Sequence, residues 1–208
     1  MIELKNVTKT FGTNVLFSGL TFDIKDGEFV VFSGKSGCGK STMLNMIGGI
    51  EKVTSGSILV DGADITKKID RVRYFSEKVG FLFQNFALSE NKTVRANLEM
   101  VAKRSRTAVT IDEALREVGI LDKKDEKVCT LSGGEQQRAA LARLMIKKCD
   151  IILADEPTGS LDRENAMSVI KILKDLNAKG RTVIMVTHDE SLKTVGTRVI
   201  VLDRDKAD

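Results

Sequence analysis

Residues 34–42 read GKSGCGKST, and this stretch decides the class of fold. It follows residues 28–33, an apolar run with strand character, and it leads into residues 40–47, which have the pattern of a helix. The glycines let successive backbone N–H groups point inward, and the start of the helix adds a partial positive charge. The pattern G-x-x-x-x-G-K-S between a strand and a helix predicts a phosphate-binding loop.

Every residue of this loop is a candidate for nucleotide binding. We expect the Lys40 ammonium to reach the β- and γ-phosphates of a nucleoside triphosphate and the Ser41 hydroxyl to ligate Mg²⁺. The motif by itself does not say which kind of nucleotidase is present. The candidate contacts are Gly34, Lys35, Ser36, Gly37, Cys38, Gly39, Lys40, Ser41 and Thr42.

Short β-rich runs alternate with helical patterns along the chain, which predicts an α/β fold with a mostly parallel sheet flanked by helices. The runs FVVF, IILA and VIMV are apolar without alternation, as expected of strands covered on both faces. Strands are predicted at residues 2–6, 20–24, 28–33, 57–60, 79–83, 151–154, 182–187 and 199–202. Helices are predicted at residues 40–47, 94–103, 111–118, 133–147 and 163–178.

The stretch from about residue 85 to 147 has helical patterns but no convincing strand. We interpret it as a helical lobe inserted into one nucleotide-binding core, formed by about residues 1–84 and 148–208. The prediction is a single domain that spans all 208 residues.

Composition narrows the class of protein. The net charge of +4 is a mild excess with Lys and Arg spread along the chain, and the chain has one Tyr and no Trp, so we expect no nucleic-acid partner. Three widely spaced cysteines fit free thiols in a reducing compartment. No apolar run approaches the roughly 20 residues of a membrane-spanning helix, so we expect a cytoplasmic protein unless a partner holds it at a membrane.

A pair of carboxylates, Asp155 and Glu156, directly follows the apolar run 151–154. Ligands of such sheets bind at the carboxyl edge of the strands. We expect Asp155 to hold Mg²⁺ and Glu156 to polarise the attacking water as a general base. The alternative is that both acids merely begin a turn within DEPTG.

The sequence LSGGE at residues 131–135 opens a long helical segment. Ser132 and Glu135 have the spacing of a capping box. The intervening Gly133 and Gly134 are unexpected, since each glycine costs a helix about 1 kcal/mol, but they suit a backbone that another group must approach closely. An exposed helix start binds anions, so this second site is predicted to serve another phosphate or another molecule's phosphate.

These motifs, in this order, resemble those of the ABC ATPases, and the resemblance covers essentially the whole chain. It implies the ABC ATPase fold, with a small antiparallel β part beside the P-loop core, and ATP with Mg²⁺ as ligands. It implies that Ser132, Gly133, Gly134 and Glu135 close over the γ-phosphate held by a second copy, arranged head to tail. It also implies that Gln84 touches Mg²⁺ and links to the membrane subunit, that Asp162 faces across the dimer, and that His188 contacts the γ-phosphate.

Some of these assignments rest on the resemblance almost alone. Phe11 occupies the position of an aromatic ring that stacks on adenine, although an aromatic after a short strand is usually part of a core. His188 is the only histidine, and a lone histidine is more often structural, but its place at the tip of an apolar strand favours a functional role. Two residues depart from the family pattern. Glu135 stands where Gln is commoner, and Ser160 stands where Asn or Ala is commoner.

The runs FLFQNFAL, KTVRANL and ADEPTGSLD are similar to the branch that contains macrolide exporters, lipoprotein-release systems and peptide-antibiotic exporters. The resemblance implies an integral membrane permease as partner, and hence a place on the inner face of the cell membrane. Phe86 and Leu88 are predicted as exposed residues that dock it, with lobe core as the alternative. ATPases of cell-division complexes, which transmit force rather than cargo, stay open as a second function.

Other ATP- and GTP-dependent classes fit less well. DNA-repair and chromosome ATPases of this family insert long coiled coils or extra domains, for which this chain has no room. Ribosome-associated relatives carry two such domains in one chain. Small-molecule kinases and GTPases have no use for LSGGE or for the histidine strand, and no N-K-x-D motif for guanine is present.

Overall fold

A computed structural model describes residues 1–67, 69–159 and 161–202, and it confirms the predicted α/β fold. The larger sheet has five strands: β3 (Phe29–Ser33), β6 (Val79–Leu82), β7 (Ile151–Asp155), β8 (Thr182–Val186) and β9 (Arg198–Val201). They pair in parallel in the order β6-β7-β8-β3-β9. The carboxyl ends of all five strands therefore meet at one edge.

A second sheet is antiparallel and has four strands. They are β1 (Ile2–Phe11), β2 (Asn14–Ile24), β4 (Ser55–Val60) and β5 (Ala63–Asp64), in the order β2-β1-β4-β5. The predictions of 2–6 and 20–24 were too short for β1 and β2. Register shifts interrupt the β1–β2 pairing at several points, and Asn6 has a left-handed φ of 50°. These bulges break the two-residue alternation that marks a strand in sequence.

The five predicted helices are present. They are α1 (Lys40–Ile47), α3 (Val94–Glu99), α4 (Ile111–Glu117), α5 (Gly133–Ile146) and α6 (Arg163–Ala178). The prediction of 94–103 was too long, since α3 ends at Glu99 and a separate 3-10 turn covers Lys103–Ser105. A short helix was missed, α2 (Arg71–Arg73), which continues as a π-helix over Tyr74–Lys78. Further 3-10 turns lie at Leu121–Lys123, Val128–Thr130 and Glu190–Val195.

Apolar clusters cover both faces of the parallel sheet, which explains its non-alternating strands. In β3, Phe29 and Val31 join one cluster, whereas Val30 and Phe32 join the other. The first cluster contains residues of α3, α4, α5 and α6, and the second contains residues of α1 and the antiparallel sheet. Helices α3 to α5 therefore share their apolar core with the sheet. Within the described residues, no helix has the length and apolarity required to cross a membrane.

Candidate functional site

The loop between β3 and α1 follows a path that only glycine allows at two positions. Gly34 has φ +147°, and a Cβ there would lie 2.3 Å from the carbonyl oxygen of Leu202. Gly39 has φ +97°, and its Cβ would lie 2.5 Å from the ring of Phe17. Gly39 also precedes α1 without any side-chain cap, so the first N–H groups of that helix keep their capacity to bind an anion. The predicted phosphate-binding loop has the backbone that its motif requires.

Lys40 lies inside this loop rather than on the surface. Its side chain is buried, and its Nζ donates to the carbonyl oxygens of Gly34 (2.9 Å) and Lys35 (3.1 Å). Lys35, Ser36 and Gly37 are exposed at the rim of the loop, whereas Cys38 is buried beneath it. The ammonium group is thus held where a phosphate approaching the helix start would meet it.

Ser41 and Asp155 are brought together from opposite ends of the sequence. The Ser41 hydroxyl donates to Asp155 Oδ1 at 2.8 Å, which joins the first turn of α1 to the end of β7. Burial raises the pKa of the Asp155 carboxyl above its ordinary value, and the hydrogen bond from Ser41 partly opposes that rise. A half-buried carboxylate beside a hydroxyl is a pair of hard oxygen ligands, which suits Mg²⁺.

Ser41 and Asp155 are the candidate metal ligands at this edge of the sheet. Within residues 1–67, 69–159 and 161–202, no group of three or more His, Cys, Asp and Glu side chains converges to hold a metal. Mg²⁺ is usually held by one or two carboxylates together with water and substrate phosphates. Ser41 and Asp155 therefore fit the predicted cation.

Glu156 and His188 form a second pair at the same edge of the sheet. Glu156 Oε2 lies 2.8 Å from His188 Nδ1 and also accepts from the His188 backbone N–H at 3.3 Å. The Glu156 side chain is 14% exposed and that of His188 is 71% exposed, so His188 is not a core histidine. Glu156 has φ +47°, a left-handed conformation that costs a residue with a side chain about 1–2 kcal/mol. Strain of this kind is concentrated at functional sites.

Gln84 lies just beyond the end of β6, the strand that neighbours β7. It stands two residues after Leu82, which pairs with Ala154. Its side chain is exposed. Phe11 is also exposed, at 48%, and the Lys9 ammonium lies 4.3 Å from its ring centroid. Phe11 is therefore on the surface, where a ring can stack on a base, and the core alternative is wrong.

The LSGGE segment folds as a capping box. The Ser132 hydroxyl accepts from the Glu135 backbone N–H at 3.3 Å, and Glu135 Oε2 accepts from the Ser132 N–H at 2.8 Å. The bond from the Ser132 N–H is the main reason that the pKa of Glu135 is lowered. A Cβ on Gly133 would meet nothing within 4 Å, and one on Gly134 would make ordinary contacts at 3.7 and 3.8 Å. The fold of this chain alone gives no reason for either glycine.

Asp162 has a structural role at the start of α6. It caps that helix by accepting from the Asn165 backbone N–H at 2.9 Å, and this bond is the main reason that its pKa is lowered. Asn165 in turn accepts from Arg138 Nη1 at 2.6 Å, so α5 and α6 are linked beside this cap. Ser160 lies outside the described residues. The Asp162 cap was missed, although an Asp directly before a helical pattern is a typical N-cap signal.

Other predicted and unpredicted residues surround this edge. Phe86 and Leu88 are half-buried and pack against the cluster that covers the lobe side of the sheet, so the prediction that they are exposed is wrong.

Gln137 was not predicted. It is 2% exposed and donates to the carbonyl oxygen of Pro157 at 2.6 Å, which ties α5 to the loop after β7. No sequence pattern reveals a contact between residues 20 positions apart.

Known proteins resemble this chain along most of its length. A family model described as "ABC transporter" matches residues 17–159. The macrolide export ATP-binding/permease protein MacB of Campylobacter jejuni is 37% identical over 96% of this chain, which spans only 32% of that relative's length. The putative hemin import ATP-binding protein HrtA of Staphylococcus haemolyticus is 39% identical and is matched over 98% of its length. The similarity to MacB agrees with the branch predicted from the sequence.

Solved structures give the same assignment. A dimeric post-hydrolysis state of the ATP-binding cassette MJ0796, bound to ADP and Pi, superposes with a TM-score of 0.87 at 35% identity, covering 98% of this chain and 95% of that one. A second dimeric structure of MJ0796, described as a bacterial ABC transporter cassette, gives a TM-score of 0.86. With its glycine loop, its carboxylates at one sheet edge and its capped LSGGE helix, the chain belongs to the ABC transporter family and is an ATPase of that family.

Proposed function

We propose that two copies of this chain hold two ATP molecules between them, head to tail, and that they drive a separate membrane permease. The observation that carries the dimer is the pair Gly133 and Gly134. They stand at an exposed, capped helix start, and neither glycine is needed by its own chain. Glycine there leaves the backbone open to close approach by a group from outside, and a helix start favours an anion.

Each proposed site combines residues of both copies. One copy supplies the phosphate loop, the carboxylates, the glutamine and the histidine, and the other covers the terminal phosphate. The residues from the first copy are Lys40, Ser41, Gln84, Asp155, Glu156 and His188, and those from the second are Ser132 and Gly134. Phe11 stacks on the adenine ring. Because the γ-phosphate contacts both copies, ATP joins the dimer and hydrolysis releases it.

The chemistry follows from the two pairs at the sheet edge. Lys40 places a positive charge against the β- and γ-phosphates. Ser41, Asp155 and Gln84 hold Mg²⁺, which neutralises charge on the phosphate oxygens when it is bound. Glu156 accepts a proton from the attacking water as general base. His188, whose ring is held by Glu156 Oε2, reaches towards the γ-phosphate from an exposed position.

Substituting Glu156→Gln tests this arrangement. The variant keeps the shape of the side chain but loses the base, so we expect ATP binding within twofold of wild type and turnover lowered at least a hundredfold. Light scattering after gel filtration in MgATP should then give a stable dimer. Glu164→Gln, on the exposed first turn of α6, is the matched control and should hydrolyse ATP normally. A Glu156→Gln protein that binds ATP and stays monomeric, alone and with its permease, would contradict the proposal.

An apolar groove supports the proposed membrane partner. It has a volume of about 600 Å³, and it lies where the lobe meets the sheet, close to the turn after Gln84. Three of the large apolar side chains most open to solvent line it: Val72 (72% exposed), Met100 (50%) and Ile50 (44%). Phe81 and Phe83 stack at 4.7 Å along its wall. We propose this groove, rather than Phe86 and Leu88, as the surface that receives an apolar segment of the permease.

Export of peptides, antibiotics or lipoproteins is the proposed direction and cargo. It rests on the motif wording of the macrolide-exporter branch and on the similarity to MacB. The names of other relatives include import, of hemin and of methionine. The alternative is force transmission of the cell-division type. Transport measured with the co-purified permease in vesicles distinguishes the two functions, because a force transmitter would hydrolyse ATP without moving solute.

A further inference from the structure

The turn that contains Gln84, residues 84–87, is strained at two consecutive residues. Phe86 has φ +61° and Ala87 has φ +47°, and both carry a side chain in the left-handed region. Consecutive left-handed residues in turns are usually Gly, Asn or Asp, so the pair Phe86 and Ala87 persists only where the surroundings hold it. Two short-range hydrogen bonds, from Phe86 N to Phe83 O (3.0 Å) and from Ala87 N to Asn85 O (2.7 Å), close the turn.

A single guanidinium holds this turn from outside. Arg143 Nη1 donates to the carbonyl oxygen of Ala87 at 2.6 Å, and Nη2 donates to that of Phe86 at 2.9 Å. The two strained residues are thus the two that are clasped. Arg143 is half-buried, and within the described residues its guanidinium bonds to these two carbonyl oxygens. Its charge is therefore satisfied by these carbonyl groups, a fork geometry that arginine offers and lysine does not.

The clasp, meaning the two hydrogen bonds from Arg143, connects the helix that begins at LSGGE, the turn and the apolar groove. Arg143 belongs to α5, the helix that begins at LSGGE. The turn it holds, residues 84–87, begins at Gln84. Ala87 and Arg143 also line the apolar groove. A segment that enters the groove therefore meets the same side chain that fixes the turn.

We propose that Arg143 is a positioning residue for ATP hydrolysis: it locks the turn that contains Gln84 onto α5 and thereby fixes where Gln84 meets the nucleotide. The proposal rests on the function proposed above for Gln84. Arg143 itself touches neither nucleotide nor metal. Without the clasp the turn relaxes and Gln84 leaves its place.

Hydrogen exchange of the full chain tests the clasp directly. In Arg143→Met we expect the amides of residues 84–90 to exchange about tenfold faster, as for a lost hydrogen bond to a charged group, while β7 and β8 keep their protection. Arg116→Met, which removes an exposed arginine from the last turn of α4, is the matched control and should leave that segment unchanged. Exchange within twofold of wild type in Arg143→Met would overturn the proposal.

Kinetics test whether the clasp positions Gln84. We expect Arg143→Met to lower kcat about tenfold and to raise the Mg²⁺ needed for half-maximal rate, with the KM for ATP within twofold. If the substitution only reduced the fraction of folded protein, all measured rates would fall in proportion to that fraction. The double variant Arg143→Met, Ala87→Gly should have a kcat at least threefold higher than that of Arg143→Met alone. Glycine adopts the left-handed conformation of this turn without outside support. Arg143→Lys, which keeps the charge, should fall between wild type and Arg143→Met.

The variant Gln84→Ala separates this proposal from the one it rests on. If Gln84→Ala leaves the Mg²⁺ requirement and kcat unchanged, the role of Gln84 is wrong, whatever the exchange data show. If Gln84→Ala is slow but a folded Arg143→Met is not, the positioning role of Arg143 is wrong while that of Gln84 stands. Melting curves verify that each variant is folded. If Arg143→Met does not fold, Arg143→Lys and Ala87→Gly supply the test.

Discussion

Asp155 is a carboxylate whose placement opposes stability in the protein without nucleotide. Burial is the largest influence on it and raises its pKa above the ordinary 3.8, so the folded state holds its proton more tightly than the unfolded state does. The destabilisation is complete above the folded pKa and disappears as pH falls below the unfolded pKa. A group that is kept despite this effect is expected to serve binding or chemistry.

We therefore expect Asp155→Asn to melt at a higher temperature than wild type at pH 7, without nucleotide. The amide oxygen can still accept from Ser41, so the substitution removes the half-buried charge together with its weaker attraction to Lys40. The difference in melting temperature should shrink as pH falls and vanish below about pH 4. Asp175→Asn, at an exposed position in α6, serves as the control. A melting temperature below that of wild type at pH 7 would contradict this account.

At the residue scale, short sequence motifs predicted the candidate site residues, whereas the long-range contacts could not be predicted. The glycine loop and the acids after β7 follow from short patterns with a direct physical meaning, and Ser41 and Asp155 are in contact as their shared metal role implies. The clasp of Arg143 on two carbonyl groups could not be predicted, because backbone acceptors leave no trace in sequence. The roles of the site residues stay predictions until the variants are measured.

At the scale of elements, the two capping boxes of the lobe provide a matched pair. Thr110 with Glu113 begins α4, and Ser132 with Glu135 begins α5, each with both reciprocal hydrogen bonds. The same geometry therefore occurs once at a helix with no proposed ligand and once at the helix proposed to cover a phosphate. The two boxes separate the contribution of a cap to stability from its contribution to function.

We expect Thr110→Ala and Ser132→Ala each to cost about 1 kcal/mol, because each removes an N-cap. In a chain of this size that lowers the melting temperature by about 2–4 °C. ATP hydrolysis should fall at least tenfold in Ser132→Ala and stay within twofold of wild type in Thr110→Ala, measured at a temperature where both are folded. Equal losses of activity would mean that Ser132 acts only as a cap.

Elements with a regular pattern were predicted closely, and irregular ones were not. Helices α1 and α6 have the predicted bounds, since each combines an apolar face with a clear start. The π-helix at Tyr74–Lys78 was missed because its hydrogen-bond spacing matches neither the helical nor the strand period. Its end is held by Lys147, whose Nζ donates to the carbonyl oxygens of Phe75 and Val79, again a tertiary contact.

At the scale of the whole molecule, the lobe and the sheet share one apolar cluster. Leu98 of α3, Leu115 of α4 and Leu141 of α5 pack into the cluster that also contains Ile152 and Met185 of the sheet. The division into a core of residues 1–84 and 148–208 and a lobe of residues 85–147 stays a prediction. The apolar groove is lined by Ile50 and Phe81 from one side of this proposed boundary and by Met100 and Leu144 from the other.

Charge placed in the groove should separate docking from catalysis. We expect Val72→Asp and Met100→Asp to reduce co-purification with the permease at least tenfold, because a carboxylate desolvated in an apolar contact is strongly disfavoured. ATP binding by the isolated chain should be unchanged, since neither residue lies at the phosphate edge. Met167→Asp, at an exposed apolar residue of α6 outside the groove, is the matched control. Full recovery of the permease with the groove variants would rule out this surface.

The empty space around Gly133 bears on how damage to this protein is inherited. A larger residue there has room in the chain that carries it, so that chain folds and keeps its own phosphate loop intact. In the proposed dimer the harm falls on the neighbour, whose ATP loses its cover. A cell that makes both versions in equal amounts would assemble mostly pairs in which at least one ATP lacks its cover, although the altered chain itself is folded.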